Sequence, residues 1–201
     1  MGVFSLSFYS GKDKDFKRKF KQQFGFNPLK PQLYRLAFKH RSVSNDSSLN
    51  NERLEFLGDA TLSLIVADIS YSTFKKEREG FLSQVRSKVI NRKSLNNLAL
   101  RAGIANFVEF DKSITLDNNK SNDLFGNALE AFIGAIYLDK GYGFTRKFII
   151  DFLNKHYIDL RELSKIEINF KGRLYELVQR DNKEIKIIVE EKGRETEKSY
   201  L

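Results

Sequence analysis

The sequence predicts a mainly α-helical protein followed by the opening of a small α-β unit. Three observations carry this. Only two prolines and no tryptophan fall among long stretches of Leu, Ile, Phe, Lys and Glu. Apolar residues recur at helical spacing through most of the first 163 residues. After Ser164 the pattern shifts toward β-branched residues and charged turns. With 201 residues, 41% of them hydrophobic, the chain is long enough for one full core and a small second unit.

Lys14 to Phe24 reads as a first helix, stopped by Gly25 and the turn-prone Asn27-Pro28. Pro31 to Phe38 reads as a second, with Pro31 suited to the first turn. Ser42 to Asn51 is polar and loop-like. Glu52 to about Phe74 reads as a long helix, apolar nearly all round (Leu54, Phe56, Leu57, Leu62, Leu64, Ile65, Val66, Ile69), and is therefore expected to be central and buried. Phe81 to Ala102 reads as one further helix with Gly103 as its stop. Asn122 to Leu138 is another apolar helix, punctuated by Gly141-Tyr142-Gly143, and Thr145 to Leu163 an amphipathic one. Beyond a boundary near 164–168, Lys171 to Arg180 fits a short helix and Glu184 to Glu190 a strand, with Lys192 to Glu197 a charged turn. Residues 165–201 are too few for a stable domain, so this unit is expected to be incomplete.

The chain has no cysteine and only His40 and His156, which rules out disulfides, thiolate zinc sites and a histidine-based metal cluster. Carboxylates remain as the metal ligands, and they select hard ions such as magnesium or manganese. Net charge is +9, and Met1 to Asn50 holds ten Lys or Arg against three Asp. Such a surface favours a polyanion through counterion release, although solubility alone accounts for it equally well. No apolar run approaches the ~20 residues of a membrane span. The start has neither a basic signal-peptide region nor a myristoylation motif, Leu6 standing where Ser or Thr is required. A soluble cytoplasmic protein is expected.

At about 100° per residue, Glu52, Glu55 and Asp59 fall within roughly 60° of one another on an otherwise apolar helix. Three carboxylates so close repel one another unless a cation compensates. Asp59 follows Gly58, whose missing side chain admits another backbone or a ligand. Asn127 and Glu130, three apart, share a face of the second apolar helix. Crossed with these faces together, the two helices build an oxygen-ligand cage of the kind that two-metal phosphodiester hydrolysis requires. A plainer reading stays open for Glu52 and Glu55: first-turn acids favoured by the helix N-terminus, or partners of Arg53, His40 or Arg41. It does not reach Asp59 or Glu130.

The string Glu52-Arg53-Leu54-Glu55-Phe56-Leu57-Gly58-Asp59-Ala60 resembles the signature of the ribonuclease III family almost letter for letter. Ala37 to Ser42, Gly80 to Ser87 and Asn127 to Asp139 resemble further blocks of that family in order and spacing, over roughly residues 15–160. The resemblance implies an all-helical endonuclease domain over 1–164 and the beginning of an α-β-β-β-α double-stranded RNA-binding domain over 165–201. It implies Asp59 and Glu130 as catalytic acids. Glu55, Asn127 and Glu130, with Asp59, would be ligands for Mg2+, with Mn2+ as a substitute. Glu52 would face RNA or a second ion, and Phe56 would enter a partner subunit, ordinary core packing being its alternative. The implied activity is that of a homodimer cutting double-stranded RNA to 5′-phosphate and 3′-hydroxyl ends with two-nucleotide 3′ overhangs, as in maturing ribosomal RNA precursors. No membrane and no small-molecule substrate are implied.

Two departures stand out. Most of the family has Asp at the position of Asn127; an amide oxygen still ligates a hard cation but carries no charge, so weaker metal affinity is expected. In the C-terminal unit Glu176 matches an RNA-contacting Glu, whereas Gly172 and Tyr175 replace the usual Thr and Gln.

Overall fold

The computed structural model describes residues 10–44 (side chains from Asp13), 46–111, 123–156 and 158–165, together with 178, 180 and 181. Backbone packing divides the chain into Met1–Lys165 and Ile166–Leu201. The helix expected over 171–180, the strand over 184–190 and Glu176 lie outside the described residues.

The first unit is helical: α1 Ser10–Phe24, α2 Pro31–Ala37, α3 Glu52–Thr73, α4 Glu79–Ile90, α5 Arg92–Arg101, α6 Leu124–Lys155 and α7 Leu160–Lys165, with single 3-10 turns at Arg41–Val43 and Ile104–Asn106. α1 sets Phe16, Phe20 and Phe24 on one face by four-residue steps. Phe20 is wholly buried, 4.7 Å from Tyr34 between ring centroids, and Phe24 lies 4.5 Å from Phe132. A fully buried ring such as Phe20 contributes about 2–3 kcal/mol through removal of apolar surface from water, and the half-buried Phe24 less. α2 opens on Pro31 as expected, and its entry is held by Asp139. That carboxylate accepts the N–H groups of Leu29 and Lys30 at 3.0 and 2.8 Å and the Tyr34 hydroxyl at 2.8 Å.

Two expected boundaries are corrected. The helix read as continuous over Phe81 to Ala102 begins at Glu79 and breaks at Asn91, whose backbone is extended (ψ 153). The Asn91 side chain accepts the Ser94 N–H at 2.9 Å, so a residue that competes with the helix interior begins a new helix instead. The helix read over Thr145 to Leu163 ends at Lys155, and a separate turn of helix begins at Leu160. Gly141 does punctuate α6: at φ 77 and ψ 173 it kinks the helix where an L side chain is strained.

α3 and α6 form the central crossing, and α6 also packs on α2 and α5. Two glycines set how close that crossing is. A Cβ on Gly58 would run into the backbone carbonyl of Glu130, and a Cβ on Gly134 into that of Leu54. From Ala131 to Ile136 every residue of α6 is buried. The expectation that α3 is buried throughout is not met: Phe56, Leu64 and Tyr71 are 80%, 57% and 73% exposed. No helix among the described residues is long and apolar enough to cross a membrane.

Candidate active site

The close crossing places the acids. Because Gly58 lies against the carbonyl of Glu130, its neighbour Asp59 is carried to the same edge of the crossing as Glu130. Glu55 stands one turn earlier on α3, and Asn127 one turn earlier on α6. Glu52, Glu55, Asp59, Asn127 and Glu130 all line one cleft of about 500 Å³. Gly58 therefore admits a backbone, the first of the two occupants its sequence position allowed.

The electrostatics show the strain of this gathering. Burial, then the charges of Asp59 and Glu55, pushes the Glu130 carboxyl up to about 7. Burial likewise raises Glu55, and Glu52 and Asp59 add to the effect while Arg41 and Arg92 oppose it. Such shifts mark carboxylates whose negative charge lacks sufficient compensation. The described donors are all oxygen, which suits a hard divalent cation. Among the described residues no three His, Asp or Glu side chains converge as a ready-made cage. A magnesium ion, which keeps several of its waters and takes only one or two carboxylates, still fits that donor set.

Glu52 realises part of the plainer reading. Its carboxylate is 3.9 Å from the Arg41 guanidinium and accepts from Asn50 Nδ2 at 3.4 Å. His40 lines the cleft, but its Nδ1 accepts the Ser42 N–H at 3.2 Å and thereby caps the 3-10 turn. Burial, then Arg41, holds its ring below the ordinary range, so it is neutral near pH 7. Phe56 stands on the rim, 80% exposed, and is no core residue.

Three polar residues of the cleft were not anticipated. Asp123 is one turn before Asn127 and two before Glu130, a same-face spacing that was available in the sequence. Arg92 forms an ion pair with Asp123 across 31 positions of sequence and lowers the carboxyl values of both Glu55 and Glu130. It reaches the cleft from the first turn of α5, which starts afresh after Asn91. Asn51, 1% exposed, has a buried Nδ2 with no hydrogen-bond partner among the described residues, at the wall of the cleft. A buried donor left unpaired is costly, and a water or bound group in the cleft relieves it.

Comparison with known proteins identifies the family and the fold. The family model described as ribonuclease-III-like matches residues 30–157. The ribonuclease 3 of Bacteroides fragilis is 43% identical over 178 residues, 87% of this chain and 60% of that relative. That of Zunongwangia profunda is 34% identical over 97% of this chain and 81% of its own length. The chain thus spans about 60% of the Bacteroides relative it matches. The crystal structure of the nuclease domain of ribonuclease III from Campylobacter jejuni superposes with a TM-score of 0.62 at 32% identity, over 71% of this chain and 96% of that one. Dicer from Pichia stipitis aligns at 0.52 with 26% identity, over 73% of this chain and 67% of its own. With its helical fold, its acid cleft and these matches, the chain belongs to the ribonuclease-III-like family.

Proposed function

We propose that the protein is an endoribonuclease that hydrolyses double-stranded RNA with the help of Mg2+ and works as a homodimer. The observation that carries this is the cleft itself: five oxygen-bearing side chains from two helices, with Glu130 raised to about 7 by burial and by its acidic neighbours. Glu55 and Glu130, with the Asn127 amide oxygen and Asp59, would hold the ion. When bound, a divalent ion polarises a phosphodiester and lowers the pKa of water beside it. The chain's own residues do the rest. The acids set the ion's position, and Arg92 and Arg41 at the rim place positive charge where an RNA phosphate enters. The basic surface draws the duplex in.

The reading extends to the rest of the notable features. Phe56 is the residue offered to a second copy, consistent with the nuclease domain of ribonuclease III from Campylobacter jejuni, where structural flexibility is described in a region involved in dimer formation. Products with 5′-phosphate and 3′-hydroxyl ends, two-nucleotide 3′ overhangs and a role in maturing ribosomal RNA precursors belong to the same proposal, as do Glu176 as an RNA contact and a cytoplasmic location. The test is incubation with a long RNA duplex in Mg2+, beside an Asp59→Ala/Glu130→Ala variant. Cleavage by the unmodified protein, lost in that variant and in EDTA, is expected. Duplex that stays bound and intact with the unmodified protein would instead make it a non-cleaving RNA-binding relative.

A further inference from the structure

A second cleft, of about 430 Å³, opens among the end of α1, the end of α5 and the half of α6 beyond Gly141, and it shares no residue with the acid cleft. Its size lies in the range of small-ligand sites. Its floor is aromatic. Phe26 meets Phe144 and Phe148 edge-on at 5.2 and 5.6 Å between centroids, and Phe148 stacks on Phe152 at 5.4 Å. Phe144 is 38% exposed, with the Lys140 ammonium 5.9 Å from its ring centroid.

The rim is cationic. Arg101 comes from α5, Lys147 and Lys155 from α6, against the single acid Asp151. None of the three cations makes an ion pair among the described residues. Burial, then the nearby charges of Lys155 and Arg101, holds the His156 ring below its ordinary range. Arg101 and Lys155 stand in last helical turns, where cations are favoured in any case. Several carbonyls at those ends are nevertheless already bonded. Ala102 O accepts from Gln23 Nε2 at 2.9 Å, and Leu153 O accepts from the N–H groups of His156 and Ile158 at 3.2 and 2.9 Å. Lys147, in mid-helix, has no such explanation.

We propose that this cleft binds a free nucleoside di- or triphosphate, its base against the Phe144 and Phe148 rings and its phosphates among Arg101, Lys147 and Lys155. Aromatic faces accept any base by stacking, and three unpaired cations suit a polyphosphate better than a single carboxylate. Asp151 lines the same cleft, and its carboxylate accepts from an exocyclic amine, which adenine, guanine and cytosine carry and uracil lacks.

The test is calorimetric titration of the full chain with ADP and GDP in EDTA, so that no divalent ion can recruit phosphate to the acid cleft. Saturable binding is expected, one nucleotide per chain. Phe144→Ala and Lys147→Glu, both at exposed positions and checked for fold by circular dichroism, should each weaken it about tenfold. Glu130→Gln should leave it unchanged. Absence of saturable heat with either nucleotide overturns the proposal. So does pyrophosphate binding as tightly as ADP with Phe144→Ala silent, which would mean charge alone. A single-stranded oligoribonucleotide that binds through Phe144 and Lys147 while ADP does not would reassign the cleft to an RNA end and overturn the free-nucleotide reading.

Discussion

α3 and the first half of α6 look alike as sequences, each apolar nearly all round, yet they are used differently. α6 is enclosed by α2, α3 and α5, and Ala131 to Ile136 are all buried. α3 is covered on one side only. At about 100° per residue its exposed Phe56, Leu64 and Tyr71 fall within roughly 80° of one another, a stripe rather than scattered residues. An all-round apolar pattern thus does not fix burial within the protomer, and the exposed stripe of α3 is the surface that the proposed dimer would cover. The two helices meet at Gly58 and Gly134, and the catalytic proposal depends on that contact as the dimer proposal depends on the stripe.

The largest effect is expected at the crossing. Gly58→Ala drives a methyl into the Glu130 backbone, and Gly134→Ala one into that of Leu54. Neither obstacle is the end of a flexible side chain, so the helices must separate. A loss of about 3 kcal/mol or more is expected in denaturant unfolding, with cleavage falling alongside. A Gly58→Ala protein as stable and active as the parent would break the account of how the acids are brought together.

Phe56→Ala tests the stripe. With 80% of the side chain exposed, the protomer should keep its helical circular dichroism. The dimer should weaken by about 2 kcal/mol, roughly thirtyfold in dissociation constant, as for a buried aromatic anchor. Light scattering across a dilution series reads this directly. An unchanged dimer constant would move the interface elsewhere, and a collapse of the dichroism would show that Phe56 serves the protomer after all.

Glu130 offers a smaller, pH-dependent effect. Its carboxyl is raised from 4.5 to about 7 on folding, so the folded state resists ionisation. Below about pH 4.5 both states are protonated and nothing is lost. As pH rises from there to about 7 the unfolded chain releases its proton first, and stability falls. Glu130→Gln should therefore melt with the parent at pH 4 and above it at pH 8. The gain should be about 1–2 kcal/mol once solvent screening is discounted, or roughly 3–6 °C. Equal melting at pH 8 would mean that the acids are better compensated than the cleft suggests.

These tests also mark what could be read beforehand. Helix positions were legible because period and punctuation are local: Gly25, Pro31 and Gly141 act on their own few residues. The shared face of Glu52, Glu55 and Asp59 follows from helix geometry alone. Asn91 was missed because its role depends on a side chain choosing the Ser94 N–H over the helix interior, an alternative of similar local cost. Arg92 was lost with it. Asp139 was legible as part of a motif but not as the carboxylate that anchors α2 from 109 positions away at Lys30. Periodicity alone does not separate the exposed Phe56 from the buried Phe132, because that is decided by which helices cover each face; only the family resemblance set Phe56 toward a partner.

The smallest expected effect concerns Asn127, and it tests how far α6 can substitute for what it lacks. Asp123, Asn127 and Glu130 form a row on the same face of α6, but Arg92 already holds the first and the second carries no charge. Asn127→Asp adds a carboxylate one turn from Glu130. In a metal-free protein this should push Glu130 higher still and lower the melting temperature at pH 8. With Mg2+ the same charge should help, lowering the concentration for half-maximal cleavage about threefold to tenfold and restoring the lost stability through preferential binding to the folded state. The two halves have opposite sign and a common cause, so they must appear together. A lower melting temperature in EDTA without any change in the Mg2+ requirement would place residue 127 near the acids but outside the ion's coordination.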